Sequence, residues 1–267
     1  LVLGPLLARS GFARVSLPGG CAIGARPINF HLRGFEQLGV VTRLEQGYVE
    51  AVAEGRMHGG TVYFDVPSVT GTENVLMASV AATGQTIIKN AAKEPEVGNL
   101  IDMLTAMGAQ IEGRDTDRLT VHGGARLQAT SARIIPDRIE AGTYMIAAAA
   151  TGGEVTLTDC DPAHLPSLTE KLQLCGAQIL LAEDSMTVAC GEIGSPGRCR
   201  LRSVDITTMP FPGFPTDLQA QFMALMVQGD GTSVIHETIF ENRFMHVAEL
   251  RRLGANITIE GSRAVVR

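Results

Sequence analysis

The chain has 267 residues, of which 45% are apolar and 19% are charged, a composition typical of folded globular proteins and unlike that of disordered or collagen-like chains. With 22 basic and 28 acidic residues the net charge is −6, which argues against a nucleic-acid partner, because such proteins need a basic surface to neutralise phosphates. No apolar run approaches the roughly 20 residues that cross a bilayer, the best being 144–150, so no membrane partner is expected.

A short helix-ending motif recurs along the chain and indicates an internal repeat. In each copy a glycine follows Leu, Met or Cys and precedes Val or Ala, and a β-branched run begins about 25 residues earlier. The motif glycines are Gly39, Gly108, Gly176 and Gly254, and the runs begin at Ala13, Gly84, Gly153 and Gly231. A spacing held through four copies predicts units of about 70 residues.

Each unit predicts the order helix, strand, helix, strand, strand, with a further strand at its start. Ala-rich and Met-rich stretches have the composition of helices, and the motif glycine provides a left-handed cap after the second helix. In chain order, first helices are expected at 72–83, 140–151 and 217–228, second helices at 96–107 and 162–175, and hairpin turns at 46–47, 115–117, 183–184 and 261–262. A unit of one sheet and two helices buries its apolar faces best by packing against the other repeats.

The units group into two expected domains, 1–135 and 136–267. Complete units are expected near 67–135 and 136–208, whereas a first unit lacks its start and a fourth stops after its hairpin. There is also no initiating Met. We therefore expect an internal fragment of a protein of about 400 residues, with three units in each domain.

The glycine-rich segment 17–27, LPGGCAIGARP, combines one cysteine with one arginine. Such a mobile loop brings backbone amides close to a ligand, and together with Arg26 these amides favour the thiolate of Cys21. A structural cysteine in a tight turn is the alternative, but flanking glycines offer no apolar shell. The other cysteines are scattered along the sequence: Cys160, Cys175, Cys190 and Cys199. We expect these thiols to be structural and, in a cytoplasmic protein, reduced.

Two aspartates stand at predicted helix starts in successive units. Asp217 in the segment 214–221 and Asp137 in 136–140 each fit an N-cap or first-turn role, in which a carboxylate meets free backbone amides. The segment 240–246, FENRFMH, is richer in polar groups than a helix start requires. It is either a solvated face or part of a site. No pattern predicts a metal site or a cofactor.

The segments 17–27, 214–221 and 240–246 together resemble the signature segments of the UDP-N-acetylglucosamine enolpyruvyl transferases, and the resemblance extends over the whole chain. It implies an α/β fold, the inside-out α/β barrel of the enolpyruvyl transferases, with two domains of repeated βαβαββ units. It also implies transfer of the enolpyruvyl group of phosphoenolpyruvate to the 3-hydroxyl of UDP-N-acetylglucosamine. Phosphate is released in this reaction, which is the first committed step of peptidoglycan synthesis and cell wall biogenesis.

The resemblance further implies roles for individual residues. Cys21 would be the general acid, the site of a covalent phosphoenolpyruvate adduct and the target of fosfomycin, and Asp217 would be the base at the sugar hydroxyl. Such an addition needs an acid and a base on opposite sides of the substrates. Arg26 would hold phosphate, which suits its fork of donors. The uridine nucleotide site would be lined by Arg26, Pro27, Ile28, Asn29, Phe30, Ser68, Val69 and Ile239.

Two positions depart from the family pattern: Asn29 stands where many members carry Asp, and Thr70 stands where some carry Gly. The family's other phosphate-binding Lys and Arg residues lie outside this sequence, so we expect the chain alone not to transfer enolpyruvate. Two alternatives remain, a truncated non-catalytic remnant that binds UDP-sugars and, less favoured, a shikimate-pathway enolpyruvyl transferase.

Overall fold

The computed structural model describes residues 1–19, 22–24, 27–197 and 200–267, whose contacts separate them into two units. Residues 1–19 and 27–134 form the first unit, and residues 22–24 join 135–197 and 200–267 in the second. The sequence-based division assigned residues 22–24 to the first domain. In the structure their contacts lie with the second unit.

The first unit contains two repeats. The first repeat runs through α1 (Leu3–Ser10), β1 (Phe12–Ser16), α2 (Asn29–Glu36), β2 (Val40–Glu45) and β3 (Tyr48–Ala53). The second runs through β4 (Thr61–Tyr63), α3 (Val69–Ser79), β5 (Gln85–Lys89), α4 (Pro95–Ala106), β6 (Gln110–Glu112) and β7 (Arg118–His122). This second repeat has the full order of strands and helices that the sequence predicts.

Each repeat of the first unit forms its own sheet. The first sheet has the order β1-β3-β2 and is antiparallel, and the second has the order β4-β5-β7-β6, in which only β4 and β5 are parallel. The β2–β3 hairpin turns at the predicted Gln46 and Gly47, whose φ angles are 47° and 81°. Positive φ at both turn residues is the type I′ geometry, whose twist matches that of the flanking strands. Helices α1 and α2 both contact α3.

The second unit also contains two repeats. The first runs through α5 (Arg138–Thr151), β8 (Glu154–Thr158), a 3-10 turn (Pro162–His164), α6 (Pro166–Cys175), β9 (Gln178–Leu181) and β10 (Ser185–Ala189), followed by the hairpin β11 (Gly191–Glu192) and β12 (Ser195–Pro196). The second runs through β13 (Ile206–Thr207), a 3-10 turn (Thr216–Leu218), α7 (Gln219–Met226), β14 (Ser233–His236), α8 (Val247–Arg252), β15 (Ile257–Glu260) and β16 (Arg263–Val266). The sheets have the orders β8-β10-β9 and β13-β14-β16-β15, and α5 contacts α7.

The glycines of the repeated motif are left-handed, as predicted. The φ angles are 80° at Gly39, 107° at Gly108, 105° at Gly176 and 99° at Gly254. The predicted helices 162–175 and 217–228 are each shorter than expected, because a 3-10 turn precedes α6 and α7. Pro166 explains the first break, since proline has no N–H to donate and disfavours helical geometry in the residue before it.

Each unit has its own apolar core, and the core of the second unit holds the ends of the Asp217 turn. Leu218 and Phe222 are fully buried there, and the Phe222 ring meets the Phe214 ring edge-on at 5.2 Å between centroids. Full burial of such a side chain contributes roughly 1.5–3 kcal/mol. The turn is therefore anchored on both sides. No helix in the described ranges has both the length and the apolar character to cross a membrane.

Candidate active site

Asp217 lies in the 3-10 turn before α7 and is paired with an arginine. Its Oδ1 accepts a hydrogen bond from Arg243 Nη2 at 2.6 Å. The Asp217 side chain is 57% exposed, whereas that of Arg243 is 21% exposed. No side chain caps the turn or α7 at their N-cap positions. The carboxylate lies in the first turn, as the sequence allowed, but it is engaged by a cation and open to solvent and does not act as a side-chain cap.

Arg243 belongs to the segment 237–246, which connects β14 to α8. Its guanidinium carbon lies 5.3 Å from the centroid of the Phe240 ring, a cation–π geometry. The aromatic ring and the carboxylate together restrict the arginine. The segment contains the polar stretch 240–246 singled out in the sequence, and the charge of Arg243 in this stretch is paired with a catalytic candidate.

Glu237, at the start of the same segment, is a carboxylate with only 4% of its surface exposed. Donors face both of its oxygens. They are the Thr208 hydroxyl (2.8 Å) and the N–H groups of Ile239 (2.8 Å) and Phe240 (3.2 Å) at Oε1, and the Thr216 hydroxyl (2.8 Å) and Gln219 Nε2 (3.4 Å) at Oε2. These hydrogen bonds replace the water that burial removes from the two oxygens.

His246 closes the segment, and its environment keeps it neutral. Its Nε2 lies 3.3 Å from Met223 Sδ on α7. Burial, and secondarily the positive charge of Arg243, lower the pKa of His246 below its usual value. Arg243 is therefore the cation of this segment near Asp217 at neutral pH.

Residues 22–24 of the glycine-rich loop lie against the same segment. The N–H of Asn242 donates to the carbonyl of Ile23 at 2.9 Å. Gly24 has a φ of 150°, and a Cβ added there would lie 2.5 Å from Glu241 Oε2. The φ angle, which L side chains rarely adopt, favours glycine at this position. Cys21 and Arg26, predicted as acid and phosphate ligand, lie outside the described residues.

The remaining predicted nucleotide-binding residues of the described chain divide between the units. Pro27 and Asn29 are exposed near the start of α2, while Ile28 and Phe30 pack partly on the core of the first unit.

Ser68 caps the N-terminus of α3, its Oγ accepting from Gly71 N–H at 3.1 Å, and Val69 is the first residue of α3. Because α2 contacts α3, these candidates lie on neighbouring helices. Ile239 belongs to the second unit, as does Asp217.

Two residues of this site were not singled out from the sequence. Arg243 was part of a noted segment but had no assigned role, and Glu237 was not noted. A signal for Glu237 does exist in the sequence: it is an acidic residue just after the β-branched run that begins at Gly231 and predicts a strand. An acid so close to a core requires partners.

The cysteines of the described ranges, Cys160, Cys175 and Cys190, are buried. Burial raises the pKa of Cys160 and raises that of Cys175 to about 11. Cys190 is disulfide-bonded, so the expectation of reduced thiols is wrong for this residue. The β11–β12 hairpin returns the chain to Cys190, with Gly197 N–H bonded to its carbonyl at 3.0 Å. The spacing of the cysteines in the sequence does not predict this hairpin. Cys199 lies outside the described residues.

In the described part of the chain, no group of three or more His, Cys, Asp or Glu side chains is arranged to hold a metal ion.

Comparison with known proteins gives consistent results. A family model described as EPSP synthase (3-phosphoshikimate 1-carboxyvinyltransferase) matches residues 1–266. The chain is 55% identical over 266 residues to a UDP-N-acetylglucosamine 1-carboxyvinyltransferase of Desulfosudis oleivorans and 53% identical over 266 residues to one of Solibacter usitatus. Each match covers 100% of this chain and 62% of the relative. The chain thus spans about 62% of the length of these relatives.

Solved structures show the same fold. The enolpyruvyl transferase NikO from Streptomyces tendae matches with a TM-score of 0.83 at 23% identity, covering 98% of this chain and 61% of that one. An EPSP synthase from Acinetobacter baumannii matches with a TM-score of 0.66 at 18% identity, covering 99% and 61%. These likenesses confirm the α/β fold that the sequence predicted.

Proposed function

Because the chain belongs to the EPSP synthase (3-phosphoshikimate 1-carboxyvinyltransferase) family, we propose that it forms part of an enolpyruvyl transferase acting in the cytoplasm on UDP-N-acetylglucosamine. The enolpyruvyl group would come from phosphoenolpyruvate, and the product would enter peptidoglycan synthesis. Identity of 55% along the whole chain to a relative of that name carries this choice of acceptor.

In the proposed reaction Asp217 takes the proton of the sugar 3-hydroxyl. The hydroxyl oxygen then bonds to the central carbon of phosphoenolpyruvate while Cys21 delivers a proton to its methylene carbon. Loss of that added proton and departure of phosphate restore the double bond. Arg243 contacts only Oδ1 of Asp217, and among the described residues Oδ2 has no hydrogen-bond partner, so a lone pair remains for the incoming proton.

In the proposed binding mode the substrates contact the glycine-rich loop and the N-termini of α2 and α3. Arg26 would hold phosphate with its planar fork of donors. The uridine nucleotide would contact Pro27, Ile28, Asn29 and Phe30, together with Ser68, Val69 and Ile239. Two segments of this set begin α2 and α3, where unpaired N–H groups favour an anionic ligand.

The proposal is tested by product analysis with two forms of the protein. One is the 267-residue chain, and the other is a chimaera completed with the flanking sequence of the Desulfosudis oleivorans relative. Each receives phosphoenolpyruvate with UDP-N-acetylglucosamine or with shikimate 3-phosphate. We expect phosphate release, and a sugar product carrying the added enolpyruvyl mass, from the chimaera and not from the chain alone. Cys21→Ala and Asp217→Asn variants ensure that this chain supplies the chemistry.

Each outcome decides between the candidates. Product from shikimate 3-phosphate alone would replace the proposed acceptor with that of the sibling enzyme. Binding of UDP-N-acetylglucosamine without any product, measured by calorimetry, would identify a UDP-sugar-binding protein without transferase activity. Transfer by the short chain would support the reaction but contradict the expectation that the flanking sequence is required.

A further inference from the structure

We propose that Glu237 is a positioning residue that fixes the turn of Asp217 against the segment that carries Arg243. This inference rests on the function proposed above for Asp217. Glu237 itself is buried and has no place in the substrate contacts. Glu237 would act by holding Asp217 and Arg243 in place relative to each other. Asp217 Oδ1 lies 2.6 Å from Arg243 Nη2.

The partners of Glu237 come from both sides of that contact. The Thr216 hydroxyl at 2.8 Å belongs to the residue directly before Asp217, and Gln219 lies two residues after it. The N–H groups of Ile239 and Phe240, at 2.8 and 3.2 Å, belong to the segment that continues to Arg243. A single carboxylate therefore ties the base's turn and the arginine's segment together.

The corresponding corner of another repeat shows what the fold alone requires. In the first unit Asn90 directly follows β5, as Glu237 directly follows β14. Asn90 Nδ2 donates to the carbonyl of Phe64, the residue after β4, at 2.7 Å. There the side chain after the strand makes one neutral hydrogen bond, beside the backbone bond from Phe64 N–H to the Lys89 carbonyl at 3.2 Å. At the equivalent corner Glu237 accepts from Thr208, the residue after β13, and makes further bonds to the Asp217 turn and the Arg243 segment.

The chemistry of this corner requires an acceptor at Oε1 and allows a donor or an acceptor at the position of Oε2. The two backbone N–H groups at Oε1 cannot reverse, so this position must accept. At Oε2 the Thr216 hydroxyl can rotate. Gln219 can turn its amide, whose Oε1 is buried and has no partner within the described ranges. Glu237→Gln can thus keep the connections, whereas Glu237→Ala removes all of them.

The kinetic test uses the chimaera and a double-mutant cycle. Glu237→Ala should lower kcat more than 10-fold, and Glu237→Gln should lower it less than 3-fold. In an Asp217→Asn background Glu237→Ala should change kcat less than 2-fold, because Glu237 then has no base to position. Independent losses in that background would overturn the proposal.

The matched control is Ser233→Ala. Ser233 is fully buried in β14, four residues before Glu237, and its hydroxyl donates to the Val204 carbonyl at 2.7 Å, away from Asp217. This variant removes a side-chain hydrogen bond from β14, the strand that directly precedes Glu237, and should change kcat less than 2-fold. A loss of kcat equal to that of Glu237→Ala would mean that any weakening of this strand impairs turnover, and would overturn the assignment.

A second readout needs no activity and uses the 267-residue chain. The Arg243 Nη2–H group that donates to Asp217, in a guanidinium that lies over the Phe240 ring, should give a slowly exchanging signal by NMR. This signal should be lost in Glu237→Ala and retained in Glu237→Gln and Ser233→Ala. If no transfer is found but the signal depends on Glu237, the proposed function fails and the positioning role stands. If transfer occurs and the signal survives Glu237→Ala, the positioning role fails alone.

Discussion

Asp137 and Asp217 occupy neighbouring places in successive repeats of the second unit, yet their carboxylates do different things. Asp137 caps α5, its Oδ1 accepting from the N–H groups of Ile139 at 2.8 Å and Glu140 at 3.1 Å. Asp217 makes no cap and meets Arg243 instead. The same residue type at a repeated position is a structural cap in one repeat and a candidate base in the other.

The difference arises from the connection that follows β8 in one repeat and β14 in the other. In the repeat of Asp137 this connection, 159–165, contains its own cap, Asp161, which accepts from Ala163 N–H at 2.9 Å. In the repeat of Asp217 the connection 237–246 is longer and supplies Glu237 and Arg243. A repeat thus gains a site through a longer loop placed over an unchanged scaffold.

The largest expected effect separates the two aspartates by activity. Asp217→Asn in the chimaera should lower kcat by about 10² or more, because an amide cannot take the hydroxyl proton. Asp137→Asn should leave kcat unchanged, since Asn caps a helix about as well as Asp. Steady-state kinetics give kcat, and calorimetry gives UDP-N-acetylglucosamine binding, which both variants should retain.

Two results would break this contrast. Near-normal turnover by Asp217→Asn would return Asp217 to a structural role. A loss of nucleotide binding that matches the loss of kcat would make Asp217 a binding residue rather than a base.

A smaller effect is expected from the thiols. Cys160 lies in 159–165, the counterpart of 237–246, and burial raises its pKa and that of Cys175, the latter to about 11. At pH 7 only about one Cys175 thiol in 10⁴ is then ionised. Under limited alkylation and peptide mapping, Cys21 should label roughly 10-fold faster than Cys160 or more. Full labelling in urea is the control, and faster labelling of Cys160 would contradict the reactive-loop assignment.

The sequence predicted the repeat well because its signals are local. Glycines such as Gly108 and Gly176 must be left-handed after a helix, and a glycine at a hairpin, as at Gly47, fixes the turn. These constraints act within a few residues and can be recognised in a single chain.

The site was harder to predict because its contacts are long-range. Whether Asp217 caps or pairs depends on Arg243, which is 26 positions later. Glu237 is defined by partners up to 29 positions away, at Thr208. Neither contact follows a helical or strand period, so only the folded chain distinguishes a cap from a candidate base.

The smallest expected effect concerns stability. Here we expect the substitution of Asp137 to have the larger effect and the substitution of Asp217 the smaller one. Asp137→Ala removes two capping hydrogen bonds from α5 and should lower the free energy of unfolding by about 1 kcal/mol. Asp217→Ala removes an ion pair whose acidic partner is 57% exposed. Such pairs contribute about 0.5 kcal/mol or less in water, and Arg243 keeps its contact with the Phe240 ring.

Urea unfolding followed by circular dichroism measures both losses in the 267-residue chain, and amide exchange at Ile139 and Glu140 locates the first one. These two N–H groups should exchange faster in Asp137→Ala and at the normal rate in Asp217→Ala. The variant that is harmless to activity should therefore be the more costly one for stability. If Asp217→Ala proved the more destabilising of the two, its carboxylate would be holding the fold together. The division between a capping aspartate and a reactive one would then disappear.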